Sequence, residues 1–261
     1  MIDSIRFEEI VREAGRIAHD QWPGAGHEVE IWEKEPGHPV CATDLAVDAF
    51  LKRELGALLP SAGWLSEETA DDPERLKREL IWLVDPIDGT RDFIHGRDGW
   101  AVSVALISAG KPLMGMLSAP ARGQDWLAVA GQGATRNGKV LKASGRTEFS
   151  GSRVPTDGLP KVDQDLVMVE KPNSIALRIA KVAADEADLI ATLRWGYEWD
   201  VGAATLIARE AGAEVSDTFG NPLAYNKRDP RAFGVLASSR DIHGAAVDRL
   251  SERAQKIAYP K

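Results

Sequence analysis

Asp85 and Asp88 stand three positions apart around Pro86, directly after the apolar run Ile81 to Val84, and Gly89-Thr90 follow them. The apolar run reads as a short buried strand that ends in a forced turn. Two carboxylates placed there can converge on one divalent cation. If Gly89 and Thr90 start a helix, their backbone N–H groups face an anion. A cation and an anion at one point suggest phosphate chemistry. Further acids stand at comparable places. Glu67-Glu68 follow Trp64-Leu65-Ser66, where a short apolar segment ends; Asp44 sits at an expected helix start; Asp200 follows Trp199 and precedes an apolar helical run. Each has a plainer reading when taken alone. Asp44 and Asp200 suit helix caps, Glu67-Glu68 suits solvated surface, and Asp85-Pro86 suits a turn. Together they offer oxygen ligands from separate segments, the donor set of a hard cation such as Mg²⁺. The histidines at 19, 27, 38, 95 and 243 show no metal-ligand spacing, which argues against zinc.

The elements that must position these acids follow from periodicity. Phe7, Ile10, Val11, Ala14, Ile17 and Ala18 share one face of a first helix that Ser4 can cap. A second helix starts near Thr43-Asp44, with Val47, Phe50, Leu51, Leu55 and Leu58 as its buried stripe and Pro60 after its end. From Ile81 the pattern turns to strands. Residues 100–107 and 113–117 make a hairpin around Ala109-Gly110-Lys111, and 126–130 is a third strand. Residues 145–158 are polar and read as a linker between lobes. Beyond them strand and helix alternate: strands at 166–169, 189–193, 214–217 and 233–237, helices at 174–186, 200–211 and from 241. This is a mixed, layered α and β chain without a dinucleotide-binding glycine fingerprint. It divides into an N-terminal α+β lobe, 1–145, that carries the acidic motifs, and a C-terminal α/β lobe, 146–261, that closes one contiguous catalytic unit.

The 261 residues suffice for one large domain or two intimate lobes. A net charge of −8 argues against a nucleic-acid polymer or an anionic membrane as partner. It does not exclude a small anionic substrate, because bound cations invert the local field. Cys41 is the only cysteine, so an intrachain disulfide is excluded; it reads as a small buried hydrophobe. Met1-Ile2-Asp3-Ser4 lacks the basic and apolar regions of a signal peptide, and no apolar run approaches the roughly 20 residues of a membrane span. A cytoplasmic protein is expected.

The whole set of motifs resembles the inositol monophosphatase superfamily of Mg²⁺-dependent, lithium-sensitive phosphatases. Asp85-Pro86-Ile87-Asp88-Gly89-Thr90 matches its D-P-[IL]-D-G-T signature in full. Trp199-Asp200-Val201-Gly202-Ala203-Ala204 is similar to its second signature, with Gly202 in place of a common small residue. Ser66-Glu67-Glu68-Thr69 resembles its [GS]-E-E stretch. Lys34 and Pro39-Val40-Cys41-Ala42-Thr43-Asp44 resemble its K…P-V-T-x-A-D segment, with Cys41 where Thr is usual and Thr43 where Ala is usual. Order and spacing agree from about residue 5 to residue 250.

The resemblance implies a layered α-β-α-β-α sandwich of α+β class and two or three Mg²⁺ ions. It implies that Glu68, Asp85 and the Ile87 carbonyl hold one ion, and Asp85, Asp88 and Asp200 a second. The Gly89 and Thr90 amides would bind phosphate, Asp44 would accept from the Thr90 hydroxyl, and Thr90 with Glu68 would orient the attacking water. Leu65-Ser66-Glu67-Glu68 and Gly89-Thr90-Arg91-Asp92-Phe93-Ile94 lean towards the 3′(2′),5′-bisphosphate nucleotidase branch, and hence towards 3′-phosphoadenosine 5′-phosphate as substrate. An inositol-1-phosphatase, or a related sugar or histidinol phosphatase, is the alternative; a catalytically silent binder of a phosphorylated metabolite is the alternative of a different class. Asn173-Ser174-Ile175-Ala176 departs from the usual G-[ST]-x-[AS]. Ser174 and Arg194 join the expected substrate-binding set, with Arg194 on a second phosphate and Trp195 or Tyr197 against a sugar or base. A plainer reading makes Arg194 an exposed arginine and the aromatics core. Either a monomer or a homodimer fits.

Overall fold

The computed structural model describes residues 3–35 and 38–259; of Lys34, Glu35 and His38 only the backbone is described, so the Lys34 side chain lies outside the described residues. Helix α1 (Ser4–His19) is capped by Asp3, not by Ser4: the Asp3 carboxylate accepts from Arg6 N. Strands β1 (Ile31–Glu35) and β2 (His38–Cys41) form an antiparallel ribbon that the sequence did not announce, and it leads into α2 (Ala42–Leu58). Strands β3 (Gly63–Ser66) and β4 (Leu80–Asp88) follow, then the short helix α3 (Thr90–Ile94). Next come β5 (Ala101–Ser108), β6 (Lys111–Ala119), β7 (Gln124–Val129), β8 (Ala134–Arg136) and β9 (Lys139–Val140). These strands make a seven-stranded sheet in the order β3-β4-β5-β6-β7-β8-β9. It is antiparallel except at β3 and β4, which run parallel.

The rest of the chain holds a parallel pair, β10 (Arg153–Pro155) and β11 (Val167–Val169), and then α4 (Ile175–Ala183). Strand β12 (Leu189–Tyr197), α5 (Glu198–Glu210), β13 (Glu214–Ser216), β14 (Arg231–Ser238) and α6 (His243–Ala258) complete it. The second sheet has the order β12-β14-β13 and is antiparallel. Residues 145–158, expected to be a linker, are tied down. Asp188 accepts from Arg153 N at 2.8 Å, from Arg153 Nη2 at 2.8 Å and from Ser144 Oγ at 2.7 Å.

Strand alternation builds the layers. Trp82, Val84, Val102, Val104, Leu106 and Met116 point to one face of the large sheet, where they pack with Phe7, Ile10, Val11 and Ala14 of α1 and Val47, Leu51 and Leu55 of α2. Ile81, Leu83, Ala101, Ala105, Ile107 and Leu117 point to the other face, against Ile179 and Val182 of α4 and Ala203, Ala204 and Ile207 of α5. That second core continues through Val215, Val235 and Ala237 of the small sheet. Leu189 and Leu236 on the outer face of the small sheet pack with Ala246 and Leu250 of α6. The result is an α-β-α-β-α sandwich. Gly115 lets the layers close: a Cβ there would lie 2.9 Å from the Cα of Ala203 on α5.

Strand β4 runs farther than its apolar stretch. It pairs with β5 past Pro86 to Asp88, with an irregularity between Asp85, opposite Ser103, and Asp88, opposite Ala101. Strict alternation would send Asp85 and Asp88 to opposite faces. The extra residue reverses the phase, as a bulge does. Asp85 Oδ1 holds it by accepting from Ile87 N at 3.1 Å.

Candidate active site

Four carboxylates, from Glu67, Asp85, Asp88 and Asp200, line one cavity of about 250 Å³ between the end of the large sheet and β12. Each has a structural reason to be there. Asp85 and Asp88 ride the β4 bulge, 2% and 7% exposed. Asp200 lies in the first turn of α5, where its side chain reaches back to accept from Tyr197 N at 2.9 Å. Glu67 extends β3 alongside β4: Ser66 pairs with Val84, and Glu67 N donates to Val84 O at 3.2 Å, so parallel register sets Glu67 beside Asp85.

This corrects the assignment of Glu68. The acid that faces Asp85 and Asp200 is Glu67. Glu68 is one residue on, where the chain bends after β3 and its N–H turns back to the Ser66 hydroxyl at 3.3 Å, and it is not among the residues that line the cavity. Asp48 of α2, a buried residue that sequence reasoning passed over, brackets this pair. It accepts from the Ser66 hydroxyl on one side and from Thr69 Oγ1, at 2.6 Å, on the other.

The electrostatics show strain. Burial, and then the charges of Glu67, Asp88, Asp200 and Asp44, push the Asp85 carboxyl well above the ordinary 3.8. Burial and the charge of Asp88 raise Asp200 to about 8, against the hydrogen bond from Tyr197 N. Burial raises Asp88 to about 6, although the Ser174 hydroxyl, Ala176 N (2.7 Å), the Arg178 charge and Ile175 N (3.3 Å) all favour its ionised form. The set is all oxygen, with neither His nor Cys lining the cavity among the described residues. Crowded carboxylates that raise one another's pKa fit hard divalent cations, which relieve the repulsion. Among the described residues no three such side chains are already converged at ligand spacing. The hydrogen bonds explain this, because Asp85, Asp88 and Asp200 each turn an oxygen onto backbone N–H groups.

Ile87, Gly89 and Thr90 line the same cavity. Gly89 adopts φ +97° as it opens α3, and a Cβ there would meet Gly99 O at 2.7 Å and Ser174 N at 2.9 Å. Thr90 Oγ1 donates to Ile87 O at 3.0 Å; Asp44 Oδ1 lies farther off, at 3.5 Å. Asp44 is 1% exposed and does not line the cavity; its other oxygen accepts from Cys41 N and Cys41 Sγ, each at 2.9 Å. Burial, then the charge of Asp44 and the hydrogen bond to it, raise the Cys41 thiol to about 12, so the thiol stays protonated. Ser174 does not line the cavity either. It caps α4 through Leu177 N and donates to Asp88, so it stands behind that acid. Behind it in turn, buried Arg178 donates to Pro172 O at 2.7 Å and Asn173 O at 2.6 Å.

Arg194, Trp195, Tyr197 and Arg91 form the rim. Tyr197 stacks on Trp199 with ring centroids 4.4 Å apart and planes within 5°; Trp195 meets Phe233 edge-on at 5.4 Å. Both rim aromatics keep substantial exposed surface, 52% for Trp195 and 38% for Tyr197. They are not core, although core was one sequence reading. Glu198, which sequence reasoning did not single out, is buried beside Asp200's turn. It accepts from Asn226 N (2.6 Å) and Lys227 N (3.1 Å), which pins the 226–227 turn to the start of α5.

Comparison with known proteins agrees with this geometry. The sequence profile of the inositol monophosphatase family matches residues 3–256. Inositol monophosphatase 2 of Solanum lycopersicum is 29% identical over 94% of this chain and 96% of its own length. The 3′(2′),5′-bisphosphate nucleotidase CysQ of Aggregatibacter actinomycetemcomitans is 31% identical over 77% of this chain and 80% of its own. The solved IMPase of Thermotoga maritima superposes with a TM-score of 0.81 at 25% identity, covering 96% of this chain and 97% of that one. The chain belongs to the inositol monophosphatase family of metal-dependent phosphatases.

Proposed function

We propose that the chain hydrolyses a 3′(2′),5′-bisphosphate nucleotide, releasing phosphate, with two or three Mg²⁺ ions held by Glu67, Asp85, the Ile87 carbonyl, Asp88 and Asp200. The observation that carries the substrate choice is the rim. Arg194 and the exposed faces of Trp195 and Tyr197 sit on one strand at the mouth of the carboxylate cavity. A guanidinium binds a second phosphate, and aromatic faces take a base or ribose. When bound, the cations supply Lewis acidity and charge neutralisation to the phosphoryl group.

The chain's own residues then do the following. Ser174 Oγ and the amides of Ile175 and Ala176 fix the orientation of Asp88. The Gly89 and Thr90 amides contribute donors to the phosphoryl oxygens, since Gly89 brings the backbone to the cavity wall without a side chain. Thr90 donates its only hydroxyl proton to Ile87 O, with Asp44 behind it, which leaves its oxygen lone pairs to accept from an attacking water. Glu67, the remaining acid on the β3 side, accepts the other proton of that water.

A second reading has its own support. The likeness to the tomato inositol monophosphatase spans nearly the full length of both chains, which favours inositol-1-phosphate. Phosphate release with Mg²⁺ from 3′-phosphoadenosine 5′-phosphate and from inositol-1-phosphate, side by side, decides between them. A kcat/KM preference of ~100-fold for the nucleotide, roughly 2.7 kcal/mol of transition-state discrimination, is the expected result. The reverse preference overturns the nucleotide assignment, and release from neither overturns both.

A further inference from the structure

A second cavity, of about 420 Å³, lies behind β12. Strand β12 is the edge of its sheet, bonded to β14 alone, and residues 189–194 all border the space. The far wall is the crossover from β10 to β11, residues 156–166, whose only regular piece is a single 3₁₀ turn at Lys161–Asp163. A parallel crossover is ordinarily an α-helix of a dozen residues or more. This one is too slight to fill the room beside the strand.

The charge of the cavity is the reverse of the catalytic one. Lys171, Arg178, Arg194 and Arg253 border it; among the described residues the one acid in its lining, Asp163, is held by Arg253 (Nη1 to Oδ2, 2.7 Å) and Arg249, while exposed Asp157, outside the lining, pairs with Lys171. Arg253 Nε is buried with no hydrogen-bond partner among the described residues. Arg178 is only 9% exposed; burial and then the nearby Arg194 charge disfavour its cationic form, in part offset by the charges of Asp88, Asp157 and Asp92. Two guanidiniums that repel each other at a wall, beside a buried N–H without an acceptor, are what an incoming anion relieves. Leu166, Leu189, Leu193 and Leu250 supply an aliphatic floor.

We propose that this cavity binds a phosphate-bearing small molecule, with its phosphate on Arg178 and Lys171, and that it does so without a divalent cation. The last clause separates it from the catalytic cavity, whose four carboxylates repel phosphate until cations are bound. Arg194 borders both cavities, so the test uses residues that line only this one.

The test is equilibrium dialysis of the full chain in EDTA against radiolabelled inorganic phosphate and, separately, labelled glycerol 2-phosphate. One bound phosphate group per chain is expected, weakened tenfold or more in Lys171→Glu. That residue lines only this cavity among the two, so its phosphatase activity with Mg²⁺ stays that of the parent. Ala191→Glu, which sets a carboxylate against the same cations, is expected to act alike. Tighter binding of the ester supports an organic phosphate seated on the aliphatic floor, and equal binding supports free phosphate. No binding until Mg²⁺ is added, or binding unchanged in both variants, overturns the proposal.

Discussion

Asp85→Asn gives a test of the site that does not depend on knowing the substrate. In the cation-free protein Asp85 is 2% exposed and surrounded by Glu67, Asp88, Asp200 and Asp44, and its carboxyl is held well above 3.8. Between 3.8 and that raised value the folded chain binds more protons than the unfolded one. Stability in EDTA therefore falls as pH rises through this window. An amide removes the buried charge yet keeps Oδ1 as acceptor for Ile87 N, so the bulge survives. Near neutral pH the variant is expected to be more stable than the parent by about 1–3 kcal/mol, the scale of an uncompensated buried charge after relaxation. Adding Mg²⁺ to ~100 times its Kd stabilises the parent by about 2.7 kcal/mol through linkage. The variant gains less than about 1 kcal/mol, because an amide is a weaker ligand than a carboxylate. Urea unfolding followed by tryptophan fluorescence, with EDTA or Mg²⁺, thus shows the variant's advantage in EDTA shrinking by about 1.7 kcal/mol or more when Mg²⁺ is added. A variant that is less stable in EDTA, or one that keeps the full Mg²⁺ increment, refutes the reasoning.

Other substitutions divide the remaining claims. Glu67→Gln is expected to lower kcat by 10²-fold or more while Glu68→Gln stays within a few-fold of the parent; the opposite order in a steady-state assay would restore Glu68. Arg194→Ala should raise KM for a bisphosphate nucleotide about tenfold, which equals about 1.4 kcal/mol, and leave a monophosphate nearly unaffected; an unchanged KM for the bisphosphate removes the second-phosphate role. Gly115→Val forces a side chain against the backbone of α5, 2.9 Å from Ala203 Cα, and is expected to cost about 1–3 kcal/mol in urea unfolding; a neutral result would show that the layers have room to spare. Burial disfavours the charge of Asp188, but the Arg153 hydrogen bonds prevail and hold the carboxyl at about 2. Its stabilisation is complete above 3.8 and disappears as pH falls towards 2, so Asp188→Asn should flatten that part of the acid-unfolding curve, by about 1–2 kcal/mol after allowing for solvent screening.

Several layers of this molecule were legible in the sequence because a period of two or of 3.6 wrote them there. Phe7, Ile10, Val11 and Ala14 gave α1, and the hairpin of β5 and β6 formed where Ala109-Gly110 marked it. The five-layer stacking came from the family resemblance; periodicity alone did not supply it. Glu67 and Glu68 show why local reading stops short. Two adjacent identical side chains differ only in which of them continues the pairing with β4 before the chain bends, and that is set by a parallel register that no local pattern records. Asp44 and Asp200 read as helix caps, but each is the third residue of its helix and reaches back to the backbone N–H of Cys41 or Tyr197, so each helix begins earlier than its acid suggests. Strand β11 was expected at 166–169, but its parallel partner β10 stayed hidden because it is three residues long inside a polar stretch rich in Ser, Thr and Gly that reads as a linker.

Three of the four cavity acids are in place by residue 88, but the fourth waits for α5, more than a hundred positions later in synthesis. Helix α5 is also the layer on which both sheets close. A nascent chain that stops short of it holds three carboxylates with nothing to draw them together. Chemistry is thus switched on by the same packing event that completes the sandwich. A partly made copy cannot hydrolyse metabolites while it is still folding.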